Sequence, residues 1–301
     1  MLRARNPPQA DHIPEPFADE EGHASWTEAC FGFACPICAA PGARDGLGCE
    51  SHRLRLPAIS RCRTCAAPLP PALAGGFRCG ACRRFLHQSP PDASMPGVAG
   101  IERAFCVGDY EEPLLRELVL AFKHGGRPGL APYLGALLLA SALSKTPTSP
   151  HEDVPADEEE GPRPGDLLVP VPLHPARWLE RGYDQARLLA AAVAAAAPTG
   201  SLASRSLLRR SRATAPQGAI GLISRQDNVH GAFVPAWPRC LSSWLVRGRR
   251  AWLVDDVWTS GATLRECATT LRRMGAAWCG ALVVARASRA AWNAQAADPT
   301  D

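Results

Sequence analysis

The residues best suited to chemistry lie in one stretch, Ala251–Leu264, AWLVDDVWTSGATL. A hydrophobic run meets two acids, Asp255 and Asp256, and a small polar loop follows, Thr259-Ser260-Gly261-Ala262-Thr263. Small residues and a glycine let successive backbone N–H groups converge on one anion, and the N-terminus of a following helix adds a favourable dipole. Such a loop suits a single phosphate monoester, because it lacks the lysine of a nucleoside-triphosphate P-loop. The two carboxylates repel a phosphate, so they must serve a neighbouring group. Vicinal ribose hydroxyls, and positive charge developing on the sugar ring, fit that requirement. Two plainer readings stay open on these residues alone. Thr259, Ser260 or Thr263 could simply cap a helix, and a strand ending in two Asp also forms Mg²⁺ sites in receiver-like domains.

Cysteine pairs supply a second kind of chemistry. Of 12 cysteines, eight fall between Cys30 and Cys82. Cys62-x-x-Cys65 and Cys79-x-x-Cys82 are separated by 13 residues, a spacing that predicts a four-thiolate zinc ribbon. Cys35, Cys38, Cys49 and His52 could form a second site with three thiolates and an imidazole, and pairing across the two sets stays open. With every position filled by protein, such metals are structural. Cys106, Cys240, Cys267 and Cys279 read as small buried hydrophobes. Arg53, Arg55, Arg61, Arg63, Arg78, Arg83 and Arg84 make the module basic, which fits a nucleic acid, a protein partner or a merely solvated surface.

Cations elsewhere could complete an anion site. Arg177 and Arg181, beside Gly182, lie in a predicted loop, His174–Asp184, suited to gripping pyrophosphate or to forming a solvated turn. Arg209, Arg210, Arg212 and Thr214 lie on a long connection that could close as a lid or touch nucleic acid. Lys123 ends a helix before Gly125-Gly126, where a cation also favours the helix dipole.

The elements that must position these residues alternate. The pattern predicts strands at Ala104–Tyr110, Leu167–Val171, Ala251–Val254 and Trp278–Ala285. Helices are predicted at Pro113–His124, Leu130–Leu143, Asp184–Ala197 and Thr263–Met274, with a hairpin-like Gly231–Val246 after the polar connection Thr199–Asn228. Such alternation predicts an α/β fold with a parallel sheet and helices on both faces. Residues 1–29 read as a loose tail, 30–90 as a double zinc ribbon, and 100–290 as the α/β domain. The acidic stretch 144–166 reads as a disordered insertion whose acids carry no function, and 291–301 as a tail. A formal charge of +4 is too mild to prove a polyanion partner. No apolar run reaches the ~20 residues of a membrane helix, and no h-region opens the chain, so the expected address is cytoplasmic.

These blocks, in this order, resemble the type I phosphoribosyltransferases and, more closely, the ComF family, bacterial proteins linked to competence and DNA uptake. The resemblance rests on Ala251–Leu264 and on Leu120–Gly126 (LAFKHGG), Val169–Gln185 (VPVPLHPARWLERGYDQ) and Arg210–Gln217 (RSRATAPQ). Arg225, Asn228, Gly231 and Phe233 continue the last block. Tyr183-Asp184 replaces the usual Phe-Asn, and Trp258 stands where Val is common. The resemblance implies a type I phosphoribosyltransferase domain behind a zinc ribbon, with PRPP and Mg²⁺ as ligands and Asp255 and Asp256 on the ribose. It further implies that Thr259–Thr263 hold the 5′-phosphate and that Arg177, Arg181, Gly182 and Lys123 meet pyrophosphate. Arg210, Arg212, Thr214 and Gln217 would form the lid. Single-stranded DNA or competence and recombination proteins are the partners implied if the pocket is used without turnover. No acceptor-binding signature is visible.

Overall fold

Apolar runs separated by amphipathic helices become parallel strands with both faces covered. The computed structural model describes residues 54, 59–70, 78–88, 100–144, 161–212 and 230–287. The expectations for 1–29, Cys35, Cys38, Cys49, His52, Arg53, Arg55, Thr214, Gln217, most of 144–166 and 291–301 fall outside those residues. Strands β1 (Arg103–Asp109), β2 (Leu167–Pro170), β3 (Ala203–Ser204), β6 (Arg250–Trp258) and β7 (Trp278–Arg286) form one sheet, ordered β1-β7-β6-β2-β3. All its pairings are parallel. Strands β4 (Leu208–Arg210) and β5 (Phe233–Pro235) make a separate antiparallel ribbon. The α/β class with a parallel sheet is as expected. Pro170 is tolerated in β2 because β3 pairs only with Leu167 and Leu168, leaving Pro170 on an open edge.

A parallel sheet needs both faces buried. On one face Leu253, Val283 and Cys279 pack with Leu264, Cys267 and Leu271 of α7 (Ala262–Arg273). Cys62, Cys65, Leu69 and, on α1 (Gly80–Gln88), Cys82 belong to that same core, so the cysteine module sits on the sheet domain rather than apart from it. The other face carries Trp252, Val254 and Leu282 against α2 (Pro113–Lys123), α3 (Ala131–Leu143) and α5 (Gln185–Ala196). Helix α2 starts as predicted: Pro113 occupies the first turn, and the Glu112 carboxylate accepts from Leu115 N at 2.5 Å. Helices α3 and α5 touch closely at Gly135, where an added Cβ would lie 2.5 Å from the Ala192 methyl.

At the amino ends of the strands, Asp166 fastens the sheet. Its buried carboxylate accepts from Trp252 Nε1 at 2.8 Å and from Arg250 Nε at 3.2 Å. The Arg250 guanidinium lies 4.1 Å over the Trp278 ring. Asp166 ends the stretch 144–166 expected to be a disordered insertion. It is instead ordered and buried, because its side-chain partners Arg250 and Trp252 lie more than 80 residues away, beyond the reach of any local pattern.

Other expectations also change. Gly231–Val246 is not a hairpin: Phe233–Pro235 pairs with β4, and α6 (Arg239–Val246) follows. Pro235 and Pro238 stop the strand, and Ser242 and Val246, four residues apart, are fully buried, as on one helix face. The predicted loop His174–Asp184 holds a helix, α4 (Pro175–Arg181). His174 Nδ1 caps it by accepting from Ala176 N at 3.2 Å, and Gly182 closes it in the left-handed conformation. Cys106, Cys267 and Cys279 are buried as expected, whereas Cys240 is exposed.

Candidate functional site

Ligands of open α/β sheets bind beyond the carboxyl ends of the strands, and Asp255, Asp256, Lys123 and Arg181 lie near one another there. Asp255 and Asp256 lie inside β6, not in the loop after it, because pairing with β7 continues to Trp258 opposite Arg286. Successive strand residues diverge. Asp256 meets Lys123 Nζ of α2 at 3.1 and 3.3 Å, while Asp255 Oδ1 accepts from Asp256 N at 2.9 Å and lies toward Arg210 and Cys267. The backbone around Lys123 is held by Gln185 Nε2, which donates to the Lys123 carbonyl at 3.3 Å, and by the Tyr183 hydroxyl, which donates to the Phe122 carbonyl. Lys123, His124, Gly126, Glu180, Arg181 and Tyr183 line a cleft of about 330 Å³. Arg177 and Arg181 are both half-buried on α4, and Gly182 ends it.

The two acids differ sharply in character. Burial, and then the Asp256 charge, push the Asp255 carboxyl up to about 8. Burial opposes ionisation of Asp256 as well, yet the Lys123 ammonium, with Arg181 behind it, holds that carboxyl below the usual range. One site therefore contains a proton-holding acid next to a carboxylate, an arrangement that stability alone does not favour. The sign of the Asp255 effect is testable. An unfolded Asp loses its proton near pH 4, whereas the folded one keeps it to about pH 8. Stability is thus intact below pH 4 and is lost as pH rises through that window. Asp255→Asn cannot ionise, so its gain in Tm is expected to be absent near pH 4 and to grow up to pH 8. Thermal melts across that range check it; a gain independent of pH would contradict the assignment.

The loop after β6 is built for a close approach. Gly261 takes φ +76° as the cap of α7, and an added Cβ would come within 2.6 Å of Trp258 Nε1. Glycine is required on both counts. Ser260 Oγ accepts from Ala262 N at 3.3 Å, so this hydroxyl engages a backbone donor at the start of α7. Helix α7 starts at Ala262 and includes Thr263. The β4–β5 ribbon stands beside the loop: Glu266 of α7 accepts from Gly231 N at 2.7 Å, and Thr270 Oγ1 donates to the Phe233 carbonyl at 3.2 Å. Arg210 lies within this ribbon, stacked 5.4 Å over Phe233, and Arg212 donates to the His230 carbonyl at 2.7 Å. Arg210 and Arg212, two of the expected lid residues, are thus held at or next to the ribbon.

Cys62, Cys65, Cys79 and Cys82 come together, every pair of their sulfurs within 4.8 Å. Cys65 and Cys79 sulfurs are 3.7 Å apart, close to the roughly 3.8 Å edge of a tetrahedron with ~2.3 Å metal–sulfur bonds. Hydrogen bonds among the thiols push Cys62 and Cys79 down while raising Cys65 and Cys82. This donor set fits a tetrahedral divalent cation. Among the described arginines of the basic module, Arg61 pairs with Asp109 at 2.7 Å and Arg78 donates to Thr64 Oγ1 at 3.2 Å. Arg83 and Arg84 are exposed.

No family profile matches the chain. It is 31% identical over 251 residues to the DNA utilization protein YhgH of Salmonella typhimurium, spanning 81% of this chain and 95% of that protein. The chain belongs to the ComF family. A second relative, Competence protein F of Haemophilus influenzae, is 34% identical over 110 residues, 36% of this chain and 45% of the relative. Among solved structures, the allosteric regulatory enzyme of purine biosynthesis overlaps 52% of this chain and 25% of its own, at 20% identity and a TM-score of 0.30. That overlap is too loose to bear on function.

Sequence reasoning missed several residues of this ComF-family site. Asp184 caps α5, accepting from Arg187 N at 3.1 Å, and Tyr183 and Gln185 hold the end of α2. The capping Asp was legible; the cross-chain bonds were not. Arg286 bonds the carbonyls of both Trp258 and Thr259 at 2.9 Å, and no local motif marks it. Among the described residues no helix is long and apolar enough to cross a membrane.

Proposed function

We propose that this ComF-family chain binds PRPP with Mg²⁺ at the carboxyl end of β6, in the service of DNA uptake or nucleotide metabolism. One observation carries the reading: Asp255 and Asp256 lie near the carboxyl end of the central strand, and the buried Asp256 is faced by Lys123 and Arg181, which line a cleft. The two acids take the ribose hydroxyls, and the ionised Asp256 stabilises a ribo-oxocarbenium-like state. Thr259–Thr263 take the 5′-phosphate, and Lys123, Arg177 and Arg181 take the pyrophosphate, which leaves with the electron pair of its bond to C1. Arg210 and Arg212 border the site from the ribbon, and Thr214 and Gln217 complete the lid. Mg²⁺ arrives largely with the substrate and few protein ligands are needed. Zinc occupies the Cys62, Cys65, Cys79, Cys82 cluster, and Cys35, Cys38, Cys49 and His52 are the donors for a second ion.

The names of the relatives, DNA utilization protein and Competence protein F, support a role in handling DNA. They equally favour a second reading, in which the same pocket senses PRPP or holds the end of single-stranded DNA without turnover. Pyrophosphate release separates the two. Calorimetric titration of PRPP–Mg²⁺ tests what both share: micromolar-range binding to the wild type is expected to vanish in Asp255→Asn/Asp256→Asn. Equal heats for the two proteins would remove the carboxylates from the site.

A further inference from the structure

Arg286 is the last residue of β7, and its guanidinium touches two parts of the molecule that the sequence keeps far apart. Nε donates to the Cys65 carbonyl at 3.0 Å. Nη1 donates to the carbonyls of Trp258 and Thr259, each at 2.9 Å, and to that of Ala287. The ring of Trp258 lies 5.7 Å from the same guanidinium, and this ring is what forbids a side chain at Gly261. A guanidinium is one rigid plane with donors in a fixed fork. Turning the Cys65 carbonyl therefore turns the donor that holds the loop.

The direction of the held carbonyls gives this contact its consequence. In a planar trans peptide the C=O and the next N–H point opposite ways. The Trp258 carbonyl is also held by Ala287 N at 3.0 Å, so the part that falls to Arg286 is the Thr259 carbonyl, whose fastening aims the Ser260 N–H away from it, as a loop that receives an anion requires. The cysteine side is equally fixed. Ala66 N donates to the Cys62 carbonyl and Cys62 N to the Ala67 carbonyl, both at 2.8 Å, while Ala104 N of β1 donates to the Arg63 carbonyl at 2.8 Å. This knuckle is the turn that four-sulfur ligation would hold.

We propose that Arg286 is a positioning residue coupling the cysteine cluster to the Thr259–Thr263 loop, so that metal bound by the four thiols tightens phosphate binding in that loop. The proposal rests on the phosphoribosyl reading of the loop. Coupling between sites is reciprocal at equilibrium, so the ligand must also tighten the metal, which gives a readout independent of activity. The experiment is equilibrium competition for zinc between the full-length protein and a zinc-selective colorimetric chelator, with and without saturating PRPP–Mg²⁺. In the wild type, PRPP is expected to raise apparent zinc affinity on the order of tenfold. Arg286→Lys keeps a cation but loses the fork. Metal analysis should find its zinc retained, while PRPP no longer changes zinc affinity.

Calorimetry on the zinc-loaded wild type separates the two ways of failing. If PRPP binds and leaves zinc affinity unchanged, the coupling is overturned while the phosphoribosyl reading stands. If PRPP does not bind, that reading falls and the coupling with it. The wild-type comparison alone decides the matter if Arg286→Lys does not fold.

Discussion

Lys123→Met is expected to destabilise the fold by about 3 kcal/mol or more at neutral pH, because removing one partner of a buried pair leaves an uncompensated charge. Asp256 is only 7% exposed, and Lys123 is its ion-pair partner at 3.1 Å. The sign with pH follows from the depressed Asp256 carboxyl. Such a group contributes stability above its unfolded value, near pH 4, and loses it as pH falls through the folded one. The penalty of Lys123→Met should therefore be full at pH 7 and fade in acid. Adding Asp256→Asn removes the stranded charge, so urea melts of the double variant should recover most of the lost stability. Binding should behave differently. Lys123 lines the cleft and Asp256 belongs to the carboxylate pair, so the stabilised double variant is expected to bind PRPP no better than Lys123→Met. Stability and affinity that recovered together would make the pair purely structural.

Asp166→Ala is expected to cost a similar amount, about 3–5 kcal/mol, by stranding partners rather than a ligand. Its buried carboxylate takes three donors: Trp252 Nε1 at 2.8 Å, Arg163 N at 3.0 Å and Arg250 Nε at 3.2 Å. Removing it leaves the indole N–H of a fully buried tryptophan without an acceptor and Arg250 without its counter-charge. Asp166→Asn keeps an acceptor and should lose less. The residue precedes β2, at the end of the sheet opposite Asp255 and Asp256, so the PRPP affinity of the folded fraction should not change. Denaturant midpoints and calorimetry below the transition measure the two quantities separately. A marked loss of affinity in folded protein would show that the two ends of the sheet communicate.

The contrast between Lys123 and Asp166 shows where sequence reading stops. Both are charged residues at the ends of elements, and local pattern weighted Lys123 and discounted Asp166. Each is defined by a partner far along the chain, Asp256 at 133 residues and Trp252 at 86. Helical and strand periods say nothing about such separations. The same holds for β5: Phe233–Pro235 is a strand because Leu208–Arg210 lies beside it, and no feature of Gly231–Val246 announces that partner. Helix α4 was legible in principle. Pro175 at its start and Gly182 at its end are ordinary helix signals, but the Arg-rich stretch between them suits an anion-binding loop equally well.

By itself the sequence determined the α/β class, because apolar runs alternating with amphipathic stretches can bury both only as sheet and helix. It determined the glycine at position 261, the acids before it, and two Cys-x-x-Cys pairs whose short spacing confines their thiols to one neighbourhood. Tertiary structure alone decided which face each acid meets and which of the two keeps its proton, since burial and the Lys123 contact arise only after α2 packs on the sheet. It alone placed the cysteine cluster against the loop of β6, through an Arg286 contact that spans 221 residues. Charges and hydrogen bonds act over a few ångströms in space, and the fold, not chain order, sets those distances.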